Sequence, residues 1–195
     1  MADPAYIVDG VLTDGEAWVG IATTTLASDT ATVTFTSTDD GQVGDWSQYM
    51  DLVVVGYCRA TGTTYSGDSY FAIRANNETS ASLYPSQWLS GDGSSATAFT
   101  HTNNYIMCGR FADASVASNV FGSFVCHLFD INSGKYKAAI AMGAGDRDGG
   151  GQVHLDASTV KIQAAITELD CQFISGDCLA GSSFSLFGVL PRMVA

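Results

Sequence analysis

The sequence predicts an all-β protein, a jelly-roll-like β-sandwich with a short N-terminal arm. Three observations predict it. Eight to ten strand-forming runs recur along the chain, each short and each bounded by Gly, Asn, Asp or Ser turns. Surface helix formers are scarce: only 14% of residues are charged, and Ser, Thr and 21 Gly take the polar role that Glu and Lys usually fill. Hydrophobic residues make up 46% of 195, enough to bury one core without disulfides or metals. No stretch carries ten residues of helical periodicity, which excludes a helical bundle and a coiled coil.

The elements follow in order. Glu16 to Ala22 reads as a strand, and Ala31 to Ser37 as a cleaner one, because Ala31, Val33 and Phe35 alternate with threonines. Asp39 to Asp45 is turn chemistry and marks a break. Residues 1–45 are therefore read as an arm with strands, and 46–195 as the sandwich. Asp51 to Arg59 is a continuous β-branched run, expected centrally in a sheet with both faces covered. Ser69 to Ala75 follows, with Asn76 and Asn77 as its turn. Ser90 to Thr97 reads as an exposed loop; Tyr105 to Arg110, Phe121 to Phe129 and Lys137 to Met142 are strands; Gly143 to Gly151 is a second exposed loop. The last strands are Val160 to Ile166, Cys171 to Ile174 and Ser183 to Val189. Leu52, Val54, Ile73, Phe124, Ile166, Phe184 and Leu186 are the expected core.

The charge balance narrows the function classes. Twenty acidic residues against eight basic give a formal net charge of −12. Such a surface repels phosphate backbones and anionic lipid, so neither nucleic acid nor a membrane is expected as a partner. The start of the chain lacks the basic and apolar regions of a secretion signal, and no apolar run spans a bilayer. Cys58, Cys108, Cys126, Cys171 and Cys178 form no CxxC pair and are odd in number, which predicts buried free thiols, with Cys171 and Cys178 the one pair placed to face each other across a hairpin.

Catalytic signals are sparse. His101, His127 and His154 are the possible bases, and Cys126 cannot pair with His127 because neighbouring strand residues point to opposite faces. There is no GxSxG, HExxH or phosphate-binding glycine loop. Most of the 17 Asp residues sit beside Gly in turns, as at Asp14, Asp40 and Asp92, which accounts for them without a glycosidase pair. Asp146 and Asp148 begin a calcium-like loop around Gly149, but Gly150 stands where a third ligand belongs and no closing Glu follows. The aromatic set Trp18, Trp46, Trp88, Tyr49, Tyr57, Tyr65, Tyr70, Tyr84 and Tyr105 could line a sugar-binding face, although aromatic residues on strands more often fill cores. The expectation is a protein without catalytic residues, cofactor or metal.

Several segments resemble a family of tailed-bacteriophage virion proteins. Ala165, Ile166 and Leu169 followed by Gly181 to Val189 resemble that family's closing A-I-x-x-I segment and G-S-x-F-x-L-Y-G-I strand. Trp46 to Arg59 resembles its Y-x-x-L strand ending in Arg, and Ile73 to Asn77 its F-N-G turn. Phe129 to Asn132 with Lys135 and Lys137 resembles its D-Y-x-N-x-x-K-x-K hairpin. The segments occur in the family's order over about three quarters of the chain. Phe187 and Ile131 stand where the family has Tyr, and the strand around Val153 lacks its Trp. The resemblance implies a structural virion protein: a capsid decoration (cement) protein on the outer head, or else a tail fibre or spike module binding a host glycan. The compact length and lack of a repetitive shaft favour decoration. The partners expected are copies of itself in a homotrimer and the major capsid protein or another virion protein, with the arm reaching toward a neighbour. The virion is the expected location, after synthesis in the host cytoplasm.

Overall fold

The computed structural model describes residues 7–8, 11–12, 17–62, 68–147 and 150–191. Its strands are β1 (Ile7–Val8), β2 (Val11–Leu12), β3 (Trp18–Thr25), β4 (Val33–Thr36), β5 (Asp51–Cys58), β6 (Asp68–Ala75) and β7 (Tyr84–Gly91). They continue as β8 (Ala96–Asn103), β9 (Ile106–Ala112), β10 (Gly122–Phe129), β11 (Lys137–Asp146), β12 (Gly151–Val160), β13 (Glu168–Phe173) and β14 (Ser183–Val189). An eight-stranded sheet in the order β3-β14-β5-β10-β11-β12-β7-β8 packs on a four-stranded sheet in the order β4-β13-β6-β9. All the pairings in both sheets are antiparallel. The chain crosses repeatedly between the layers, which is the all-β sandwich of jelly-roll type that the sequence predicts.

Alternation builds the interior. In β10, Phe124, Cys126 and Leu128 turn inward while Ser123 and Val125 turn out; β14 turns Phe184 and Leu186 inward. All seven expected core residues are buried, none more than 2% exposed. Phe71 from the small sheet sits among them, with ring centroids 4.7 Å from Phe124, 5.0 Å from Phe173 and 5.6 Å from Phe184.

Four local expectations change. Residues 18–36 are edge strands and not part of an arm: β3 pairs with β14 in the large sheet and β4 with β13 in the small one. Val160 to Ile166 is not a strand beyond Val160; the strand there is β12, and 161–167 is an irregular crossing whose Lys161 N–H donates to Leu83 and Ile166 N–H to Ile131. The Ser90 to Thr97 loop is shorter than expected. The Asp92 carboxylate accepts from the N–H groups of Ser94 and Ser95, closing a tight exposed tip, so Ser90, Gly91, Ala96 and Thr97 pair as strand ends.

The glycine-rich stretch from Gly143 is the fourth. Gly143 to Asp146 completes β11, and Gly143 and Gly145 are buried. A Cβ on Gly143 would stand 2.2 Å from the Cys108 carbonyl oxygen, and Gly109, at φ +144°, lies against it. Here glycine lets β9 close on β11 backbone to backbone. Gly150 and Gly151 are exposed and half-buried, while Asp148 and Gly149 lie outside the described residues.

Candidate functional site

The five cysteines are all buried and free. Burial pushes the Cys178 thiol up to about 12 and raises Cys58, Cys108 and Cys171 well above the ordinary range, so they are held as inert thiols.

The structure separates the three histidines. His127 lies on the outward face of the large sheet, its Nε2 3.0 Å from Asp51 Oδ2, while Cys126 beside it points into the core. His101 and His154 lie on the inward face at the other end, on either side of Trp88. β9 packs against β11 and β12, and β7 meets the small sheet through Tyr84, whose hydroxyl bonds Ala75, and Trp88, edge-on to Tyr70, so it is the edge strand β8 that overhangs. At this overhang and the strands beside it several inward positions are polar: Ser86 on β7, His101 on β8, and His154, Asp156 and Ser158 on β12. The Trp88 indole N–H donates to His154 Nδ1 at 2.7 Å, which leaves the proton of the neutral ring on Nε2. Burial, with the Arg110 charge nearby, lowers His154 to about 4. Burial raises Asp156, opposed by hydrogen bonds from Ser158 and Ser86 and by His101, whose Nε2 is 3.6 Å away.

A hydrolytic triad sets an imidazole between a hydroxyl and a carboxylate. Here the Ser158 hydroxyl bonds the Asp156 carboxylate, and His101 faces that same carboxylate while its Nδ1 is bonded to Asn103. Hydroxyl and imidazole therefore converge on one acid in parallel and not in series. Asp68 is held between Arg110 (Oδ1, 2.5 Å) and Arg147 (Oδ2, 3.0 Å). Among the described residues no group of three His, Cys, Asp or Glu side chains is arranged to hold a metal. The histidine cluster escapes sequence reading because two of its three strands, β8 and β12, carry no clear strand pattern of their own.

The aromatic set does not gather on one face. Trp46, Tyr49 and Tyr84 are core residues, Trp88 is buried over His154, and Trp18 and Tyr57 are about half exposed near opposite ends of their strands. Tyr65 lies outside the described residues.

The segments Trp46 to Arg59, Ile73 to Asn77 and Phe129 to Lys137 supply side-chain clamps on loop backbone. The Lys137 ammonium is buried and donates to the carbonyls of Ser133, Lys135, Gln163 and Ala164, at 2.7–3.0 Å. Arg59 is buried and donates to the carbonyls of Val116, Ala117 and Val120. Asn132 donates to the Trp46 and Tyr49 carbonyls, both at 2.9 Å, and Asn76 donates to Ala165 and accepts from Thr167. Gly188 leaves room for the Tyr49 ring, which a Cβ would meet at 2.4 Å. Each side-chain donor ties loop carbonyls to the sandwich.

The outward face of the large sheet is the surface that remains. Val55, Val125, Met142, Leu155, Leu89 and Ala98 stand in register across six strands as one apolar row. Ile140 and Val153 flank it, and Met142 is 58% and Val153 60% exposed. Shallow depressions run along the row, one beside Leu89 and Val153 and another beside Val55 and Met142. The charged residues on this face are Asp51 and Asp146, each at the end of its strand. Comparison of the chain with protein-family models, curated proteins and solved structures finds no match.

Proposed function

We propose that this chain is a structural component of a tailed-phage virion, a decoration (cement) protein on the outer head surface that works as a homotrimer against the major capsid protein. The observation that carries the reading is the outward face of the eight-stranded sheet: broad, apolar and nearly uncharged on a chain of formal net charge −12. Monomeric proteins seldom leave a contiguous apolar field of this kind open to water, and such fields mark contact with other proteins. The phage-like segments support the same reading, because the residues that carry the resemblance are the loop clamps of the sandwich. The acidic remainder suits a position outside the shell, where it meets no packaged nucleic acid. Threefold symmetry would let each subunit repeat one set of contacts at a capsomer junction.

Image reconstruction of the intact particle tests this. The expected result is density for the sandwich on the outer shell at threefold or quasi-threefold junctions. Density at the tail tip would replace the decoration reading with the fibre or spike reading, and absence from the particle would overturn both.

A further inference from the structure

We infer that the outward face of the eight-stranded sheet, centred on the row Val55–Val125–Met142–Leu155–Leu89–Ala98, is where a second copy of this chain docks. The inference rests on the self-association proposed above and adds to it a twofold contact of this face with its own copy, separate from the contacts that would repeat around a threefold axis.

Charge selects the occupant. Two copies, each at −12, repel wherever their carboxylates come within about a Debye length, ~8 Å at physiological salt. They meet at least cost where both surfaces lack charge. Elsewhere in the fold acidic side chains are frequent and exposed, as at Asp39, Asp40 and Asp92. Within the central rows of this face there is none; Asp51 sits at one margin with His127, and Asp146 at another. A strongly basic partner would find no carboxylate to engage here. A like-charged partner finds no repulsion, and the partner of the same charge always at hand is the chain itself.

Size and texture agree. Five inter-strand spacings separate β5 from β8, about 24 Å across, and three to four rows of outward side chains run about 20 Å along the strands. That is about 500 Å² of flat surface before side-chain relief, the larger part of the roughly 800 Å² per partner of a standard stable interface. Met142, near the centre, and Leu89, one strand in from the edge, are each more than half exposed and provide apolar knobs, and Ala98, Ala144 and Ala157 leave room between them for a neighbour's side chains.

The test is light scattering over a dilution series on the full chain and on Met142→Lys and Leu155→Lys, with circular dichroism to confirm the fold. An unpaired ammonium buried at this row should weaken association at least about tenfold. The expected result is an oligomeric wild type that both variants shift to folded monomer. If either variant does not fold, Leu89→Lys at the same row, 54% exposed, takes its place. A wild type that stays monomeric at every concentration overturns the inference, and so does an oligomer that persists unchanged in the variants. The particle reconstruction reads independently: a monomer seated on the shell removes this interface and leaves the virion role, whereas an oligomer dissociated by Met142→Lys but absent from particles does the reverse.

Discussion

The two halves of the large sheet bury different interiors beneath the same alternation. On β14, β5 and β10 the inward positions are Phe184, Leu186, Leu52, Val54, Phe124 and Leu128, and the small sheet presses Phe71 among them. On β12, β7 and β8 the inward positions mix Tyr84, Trp88, Phe99 and Val160 with His154, Asp156, Ser158, Ser86 and His101. Both halves alternate with period 2. What differs is the cover: β9, the edge of the small sheet, packs over β11 and β12, and at that margin inward polar groups satisfy one another or share a carboxylate. Strand alternation thus says which residues point in, and the width of the opposing layer says what they can be.

The largest test of this comparison removes the hub of the covered half. Phe71→Ala should destabilise by about 3–5 kcal/mol, read by chemical denaturation, because the ring touches Phe111, Phe124, Phe173 and Phe184 and the cavity between two sheets cannot collapse. A loss under about 1 kcal/mol would mean the sandwich is not closed there. Next comes the line where the cover ends. Gly143→Ala places a methyl against the Cys108 carbonyl and should cost about 1–3 kcal/mol or more, since backbone and not a flexible side chain must yield. Gly93→Ala, at a hairpin tip with open space around it but φ +88°, supplies the contrast: its cost comes from the backbone conformation alone and should be smaller.

How much of this was legible in the sequence follows from the same division. The covered half was readable, because Phe124, Phe184 and Leu186 alternate with small polar residues and must face a core. The overhang was not. Ala96 to Asn103 alternates Ala and Phe with Thr and His, too weak a contrast to separate an edge strand from a loop. Gly143 and Gly145 carry loop composition, and only the approach of β9 reveals them as contact glycines. The outward face was hidden for another reason. Lys137 to Met142 is apolar on both sides, so periodicity could not say that Ile140 and Met142 face solvent. The three histidines were legible only as possible bases, and nothing in their spacing pairs His101 with Asp156 or His154 with Trp88.

A pH titration sharpens the overhang. His154 falls from an ordinary 6.5 to about 4 in the fold, so the unfolded chain binds its proton first as pH drops. Stability from this group is therefore fully present above about pH 6.5, declines as pH falls toward 4, and levels off below. The loss is at most on the order of 3–4 kcal/mol. Asp156 works the other way: its raised pKa means the native state holds a proton that the unfolded chain has released, which offsets part of the loss at the acidic end. Denaturation midpoints of wild type and His154→Gln between pH 4 and 7 check this. The variant keeps an acceptor for Trp88 but cannot titrate, so its profile should be flatter over that window. Identical slopes would show that His154 is not held neutral.

The smallest expected effect lies on the outward face, and its size depends on concentration. Val153 is 60% exposed and opposite Ala144 and Gly91, so within one subunit Val153→Thr exchanges a solvated methyl for a solvated hydroxyl. Such a surface change shifts the stability of an isolated subunit by no more than about 0.5 kcal/mol. If a neighbouring copy covers the face, the hydroxyl loses water on assembly, and the penalty becomes about 1–3 kcal/mol. Stability of an assembled protein rises with its concentration, whereas that of a monomer does not. Thermal melts of wild type and Val153→Thr should therefore coincide in dilute solution and separate as concentration rises, with the variant melting lower. Coincidence at every concentration would leave Val153 in water and restrict any subunit contact to the other rows of the face.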